Sequence, residues 1–272
     1  MTNDTSLKVK KLESIIEKMG SVLVAFSGGV DSTFLAVTAG RLLGDRSLAV
    51  TATSPAYARR ELKEAEELAS IHRLRHRVIE SCELETPGFS ENTPDRCYHC
   101  KKGLFEELKS IAKNEGIDHV ADGTNLDDGN DYRPGSRAAA ELGIRSPLAE
   151  AGMTKEDIRS ASRAIGLETA GKPAYACLAS RFPYGDHITS KKLQQVEKIE
   201  DLLREKGLKV FRARHHGNLL RLELGKEEMK SLSDPDLRNE IVAYARETGF
   251  EYITLDLESY RTGRLNESLI PD

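Results

Sequence analysis

Two groups of residues in this chain have the types and spacing for chemistry. The first is Ser27-Gly28-Gly29-Val30-Asp31-Ser32. It stands between an apolar run, Val22 to Phe26, and a helical pattern that begins at Thr33. Adjacent glycines let the backbone turn tightly and bring its N–H groups close to an anion. The helix behind them adds a positive N-terminal end, a ready phosphate site. Ser27 and Ser32 add hydroxyl donors, and Asp31 is placed to help hold a metal ion on bound phosphates. No lysine follows at the spacing of G-x-x-x-x-G-K-[ST]. The second group is Cys97-Tyr98-His99-Cys100, with Cys177 far downstream. One C-x-x-C supplies two ligands, where a structural zinc takes four. Three thiolates suit an iron–sulfur cluster with one iron left open. Buried free thiols are the plainer alternative, and for Cys82 they are the preferred reading. A redox pair at Cys97 and Cys100 is a further alternative, in the wrong context.

The elements that must position these groups follow from apolar periodicity. Leu7, Val9, Leu12, Ile15, Ile16 and Met19 have helical spacing. Strands are expected at Val22 to Phe26, 48–53, 75–79 and 119–122, with a short fifth at Arg145 to Leu148. Helices are expected at 56–71, 98–114 and 154–165, the last capped by Thr154 with Glu156 and Asp157 in its first turn. Residues 81–95 read as a polar, Pro-bearing loop. This alternation of strand and helix predicts a doubly wound parallel sheet, with ligands beyond the carboxyl ends of the strands. Ser27 to Ser32, Thr51 to Ser54 and Gly123 to Asp128 fall there. Thr51, Thr53, Ser54, Gly123 and Asn125 are therefore candidate cofactor contacts, and Asp127 and Asp128 candidate magnesium supports. After residue 170 the pattern becomes a smaller α+β domain: a long helix over 190–206, strands over 208–214 and 218–224, a helix over 235–247 and a strand at 252–255. The expected domains are 1–170 and 171–272.

The chain has 272 residues, 39% hydrophobic and 31% charged, with net charge −4. These values suit a soluble enzyme and speak against broad nucleic-acid binding. No apolar run approaches the ~20 residues that span a bilayer, and the polar N-terminus has no signal core. A cytoplasmic protein with thiols rather than disulfides is expected.

Ser27 to Ser32 resembles the PP-loop of ATP pyrophosphatases, which split ATP between the α and β phosphates. Further motifs narrow this: Asp95-Arg96-Cys97-Tyr98-His99-Cys100-Lys101, Asp122-Gly123-Thr124-Asn125, Asp131-Tyr132-Arg133-Pro134-Gly135, Cys177-Leu178-Ala179-Ser180-Arg181-Phe182-Pro183-Tyr184-Gly185, Arg212-Ala213-Arg214-His215-His216-Gly217 and Asp256 to Glu267. Together they resemble the LarE family, which builds the nickel-pincer cofactor of lactate racemase. The resemblance implies a sulfurtransferase that uses ATP and Mg2+ to adenylate the carboxylates of pyridinium-3,5-biscarboxylic acid mononucleotide. Sulfur then displaces AMP. Some members sacrifice the sulfur of the cysteine matching Cys177. Others hold a [4Fe-4S] cluster on cysteines matching Cys97, Cys100 and Cys177, and the presence of all three here favours that type.

Asp31, Cys177, Ser180, Arg181 and Glu200 are the implied catalytic residues. By residue type alone, Glu200 reads as a surface helix carboxylate. Arg212 and Arg214 alternate along a strand, so both point to one face and suit a nucleotide phosphate; the plainer alternative is a solvated basic edge. The resemblance also implies a homo-oligomer acting on a small molecule, without nucleic acid or membrane. A PP-loop tRNA thiolase, an amide ligase of the NAD- or GMP-synthetase kind and a nucleotide sensor are the alternatives.

Overall fold

The computed structural model describes residues 1–130, 134–173, 176–261, 263 and 264. Asp131 to Arg133, Ala174-Tyr175, Thr262 and Leu265 to Glu267 lie outside the described residues. The chain divides into two compact units: residues 1–86 with 95–175, and residues 87–94 with 176–272. The transfer of 87–94 to the second unit has no counterpart in the sequence reading.

In the first unit, α1 (Asn3–Met19), β1 (Val22–Ala25), α2 (Val30–Leu43), β2 (Ser47–Thr53), α3 (Arg59–Ile71) and β3 (His76–Glu80) come in order. After the excursion follow α4 (Arg96–Asn114), β4 (His119–Ala121), α5 (Pro134–Glu141), α6 (Pro147–Glu150) and α7 (Lys155–Ala164). The four strands form one parallel sheet in the order β3-β2-β1-β4. Ala25 pairs with Val50, and Val24 with Ala121.

Alternation along the strands splits the core in two. Val22, Val24, Ala49 and Ala121 pack with α1, α2 and α7 on one face. Leu23, Leu48, Val50 and Val120 pack with Phe105 and Leu108 of α4 on the other. Helices on both faces make this the doubly wound α/β layer expected. Thr154 caps α7 as read from sequence, and Asp157 returns the bond to complete a capping box.

One expected strand is corrected. Arg145 makes a single parallel bridge to Ala121, and the chain then turns into α6 at Pro147. Proline has no N–H for a ladder, but its fixed φ suits the first position of a helix.

The second unit holds α8 (Ser190–Glu205), β5 (Phe211–His216), β6 (Leu219–Leu224), α9 (Lys226–Ser231), α10 (Pro235–Thr248) and β7 (Tyr252–Leu255). β5 and β6 are antiparallel across a two-residue turn, Gly217-Asn218, and β7 adds to β6 in parallel. Gly217 takes φ +65°, which a tight hairpin needs. Leu193, Val196, Ile199 and Leu203 of α8 are fully buried. Among the described residues no helix is long and apolar enough to cross a membrane.

Candidate functional site

The strand order reverses at β1, with β2 on one side and β4 on the other. Ligands of such sheets bind beyond the strand ends at this point. Two predicted segments meet there. Ser27 to Ser32 leaves β1, and Gly123 follows β4 so closely that a Cβ on it would lie 3.0 Å from the Ser32 nitrogen. Gly28 has φ +65°, and a Cβ there would press the Ala65 backbone at 3.1 Å. Gly28 is therefore required by contact and by conformation, and Gly123 by contact.

The loop is braced from within. The Ser32 hydroxyl donates to the Gly29 carbonyl at 3.3 Å and accepts the Ser27 N–H at 3.2 Å. With that proton committed, the Ser27 hydroxyl donates to Ser32 across 3.1 Å. The first N–H groups of α2 have no carbonyl partner within the helix and form an anion cradle.

Asp31 stands in the first turn of α2. Lys155 Nζ donates to its Oδ2, while its Oδ1 is buried without a hydrogen bond among the described residues. Burial pushes the Asp31 carboxyl above its ordinary pKa, and Lys155 opposes this only in part. Lys155 is itself fixed, its N–H donating to Asp127 at 2.8 Å. Lys172 donates to the Gly28 carbonyl at 2.8 Å and pairs with Glu64 at 2.6 Å. Neither lysine was singled out from sequence. The signal available was weak: Lys155 directly follows the Thr154 cap.

The other predicted contacts divide into liners and builders. A cavity of about 120 Å³ is walled by Ala25, Phe26, Thr51, Thr53, Tyr57 and Leu104. The Thr51 hydroxyl is already engaged: it donates to the Phe26 carbonyl and meets His76 Nε2, both at 2.8 Å. Its one proton goes to Phe26, so His76 is the donor and carries its proton on Nε2. This relay fixes the peptide entering the loop, and His76 is a third residue that sequence reasoning missed. Ser54 builds the turn that presents Tyr57, its Oγ accepting the Ala56 N–H at 3.1 Å. Asn125 and Asp128 shape the turn after β4: the Asn125 N–H donates to Asp128 at 3.0 Å, and Asn125 accepts from Asp127 at 2.9 Å.

Cys97 and Cys100 occupy the first turn of α4, Cys97 exposed and Cys100 half-buried. Residues three apart lie on one helix face. The Tyr57 hydroxyl is 3.7 Å from the Cys100 sulfur. Two adjacent thiols fit the chemistry of an iron–sulfur ligand pair. Within neither unit, among the described residues, do three or more His, Cys, Asp or Glu side chains gather to hold a metal.

The second unit carries Cys177, half-buried, just before a short turn of helix. Arg181 secures this loop. Its guanidinium donates to both Glu200 oxygens at 2.9 and 2.7 Å, and to the Ala176 and Cys177 carbonyls at 2.6 and 3.0 Å. It also reaches the Ser180 hydroxyl at 3.0 Å. Glu200 is fully buried, contrary to its reading as a surface carboxylate by residue type. Burial alone would raise its pKa, but Arg181, Arg212 and the Ala213 N–H hold it below the ordinary value.

Arg214 is buried too, donating to Glu223 at 2.8 Å and to the Ser180 carbonyl at 2.7 Å. The solvated-edge alternative is thus excluded for Arg214. Arg212 differs: one N–H goes to the Phe211 carbonyl, and the guanidinium stands 4.8 Å from the Tyr260 ring centre.

A parallel sheet with Ser27 to Ser32 at its switch point defines an α/β protein of the PP-loop type. No family model matches the chain. It is 36% identical over 267 residues to the pyridinium-3,5-bisthiocarboxylic acid mononucleotide synthase of Lactiplantibacillus plantarum, covering 97% of this chain and 96% of that one. An uncharacterised protein of Synechocystis is 41% identical over 262 residues, covering 96% and 98%. At greater distance, a tRNA-specific 2-thiouridylase of Rickettsia africae is 26% identical over 195 residues, 58% of this chain and 53% of that one. The chain belongs to the LarE family.

Proposed function

We propose that this protein uses ATP to activate the carboxylates of pyridinium-3,5-biscarboxylic acid mononucleotide and exchanges one oxygen of each for sulfur. The observation that carries the reading is the braced loop at the switch point, leading into the N-terminus of α2, with the unbonded Oδ1 of Asp31. The relative from L. plantarum, named for the bisthiocarboxylic product, supports the substrate.

In the first step a carboxylate oxygen attacks the α-phosphorus of ATP. The bond from that phosphorus to the bridging oxygen breaks, and pyrophosphate leaves. The N–H groups of Gly29 to Ser32 would hold the departing pyrophosphate, with the Ser27 hydroxyl bracing Ser32 behind them. The apolar slot beside Phe26, Thr53 and Tyr57 would take the adenine. Asp31 would hold a magnesium ion, which supplies charge neutralisation when bound. A sulfur nucleophile then attacks the acyl carbon, and AMP carries off the original oxygen. Cys177 is the entry point for sulfur, kept in place by Arg181. Cys97, Cys100 and Cys177 would hold a [4Fe-4S] cluster, which supplies an open iron for a labile sulfide. Without it, the Cys177 thiolate would attack the acyl carbon as AMP leaves, and β-elimination, with loss of the Cα proton and cleavage of the Cβ–S bond, would leave the thiocarboxylate and dehydroalanine at position 177. Arg212, with donors left over, is the better candidate for the substrate phosphate, and Arg214 serves the frame.

Pyrophosphate release with the biscarboxylate substrate tests the reading. Asp31→Ala should abolish it, whereas Cys177→Ala should keep it and lose the thiocarboxylate. Full release from Asp31→Ala would overturn the loop assignment. Brown absorption after anaerobic reconstitution, lost in Cys97→Ala, is the outcome expected for the cluster route. A mass lower by one hydrogen sulfide after turnover marks the sacrificial one.

A further inference from the structure

We infer that Tyr57 is a positioning residue that ties Cys100 to the nucleotide pocket. The inference rests on the reading of that cavity as the nucleotide site.

Three observations carry it. Tyr57 lines the cavity with Phe26, Thr51 and Thr53. Its hydroxyl is 3.7 Å from the Cys100 sulfur, within reach of a hydrogen bond to sulfur. Its backbone is pinned: the Tyr57 N–H donates to the Ser54 carbonyl at 3.1 Å, and Ser54 accepts the Ala56 N–H. One side chain therefore touches both the cavity and the sulfur.

The chemistry follows from who can donate. A thiolate has no proton and only accepts, so Tyr57 O–H is the donor to Cys100 whenever the sulfur is in its reactive form. Cys97, in the same helical turn, is exposed. The C-x-x-C pair is therefore unequal: Cys100 faces the nucleotide side and Cys97 faces water. A nucleotide seated in the cavity packs against the Tyr57 ring and holds its hydroxyl on Cys100. ATP occupancy is then felt at one cysteine of the pair and not at the other.

The test compares two thiols in one molecule. Full-length, metal-free protein is labelled with N-ethylmaleimide, and peptide mass spectrometry follows Cys97 and Cys100 separately. Wild type and Tyr57→Phe are each measured without ATP and at ATP saturating their own measured Kd. Cys97 is the internal reference, since general loosening of the helix end speeds both sites. In the wild type, ATP should slow Cys100 relative to Cys97 by up to about fivefold, the full worth of one ordinary hydrogen bond. In Tyr57→Phe, which keeps the ring and lacks the hydroxyl, that protection should largely vanish. Equal protection in both proteins, or none in either while ATP binds, overturns the inference alone. If ATP fails to bind the wild type, the nucleotide reading of the cavity falls and takes this inference with it.

Discussion

Glu200→Leu is the sharpest probe of how the Cys177 loop is built. It leaves the Arg181 guanidinium, 3% exposed, without its counter-charge. Removing one partner of a buried pair strands the other charge and costs about 3–5 kcal/mol. Replacing both together, as Arg181→Met with Glu200→Leu, removes the stranded charge and should recover a large part of that loss. Recovery will be incomplete, because the Ala176 and Cys177 carbonyls also lose a donor.

The assay is urea unfolding of the full chain, followed by circular dichroism at several pH values. The direction with pH is set by the depressed pKa of Glu200. A carboxyl whose folded pKa lies below its unfolded value, about 4.3, stabilises above that value. The contribution fades as pH falls through the folded pKa. The gap between wild type and Glu200→Leu should thus be full at neutral pH and narrow in acid. A loss under about 1 kcal/mol at neutral pH would place the pair in the class of solvent-screened surface bridges and refute the reasoning. So would a double variant as unstable as the sum of the singles.

Gly123→Ala adds a methyl 3.0 Å from the Ser32 nitrogen, against backbone that cannot swing aside. Overpacking of this kind costs about 1–3 kcal/mol. The strain falls on the loop, so ATP affinity should weaken roughly tenfold or more in a titration while the protein stays folded; unchanged affinity would separate Gly123 from the site. His215 is 2% exposed, stacked on Phe182 at 5.0 Å, and burial pushes its pKa down to about 4. A depressed histidine favours the folded state when neutral, so stability should fall from about pH 6.5 towards 4, by at most about 1.4 kcal/mol per unit. His215→Phe should flatten that slope in thermal melts, and an unchanged slope would assign it to other groups.

What could be read from the sequence was local. The loop between β1 and α2, the Thr154 cap and the C-x-x-C at the start of α4 are each written within a few residues. Lys155 and Lys172 were not legible as loop contacts, since they come from 124 and 144 residues downstream. Glu200 was half-legible. Leu193, Val196, Glu200 and Leu203 follow one helical stripe, and a carboxylate on an apolar stripe calls for a buried cation. Arg181 supplies it from a different stretch of chain, so the partner could not be foreseen from that helix. The fifth strand failed because Pro147 outranks the apolar neighbours that suggested it.

Helix α2 has a consequence for ligand capture. From Val30 to Ala39 every residue but Asp31 is buried, so the helix behind the anion cradle is embedded rather than amphipathic. Binding loops commonly belong to the least stable part of a fold and are ordered by their ligand. Here the cradle is the half-buried tip of a core element and shares the core's resistance to local opening. Little chain entropy remains to be lost when a triphosphate arrives, so more of the contact energy appears as affinity. A loop of this kind discriminates by fit to a fixed shape, and it does not mould itself around what it holds.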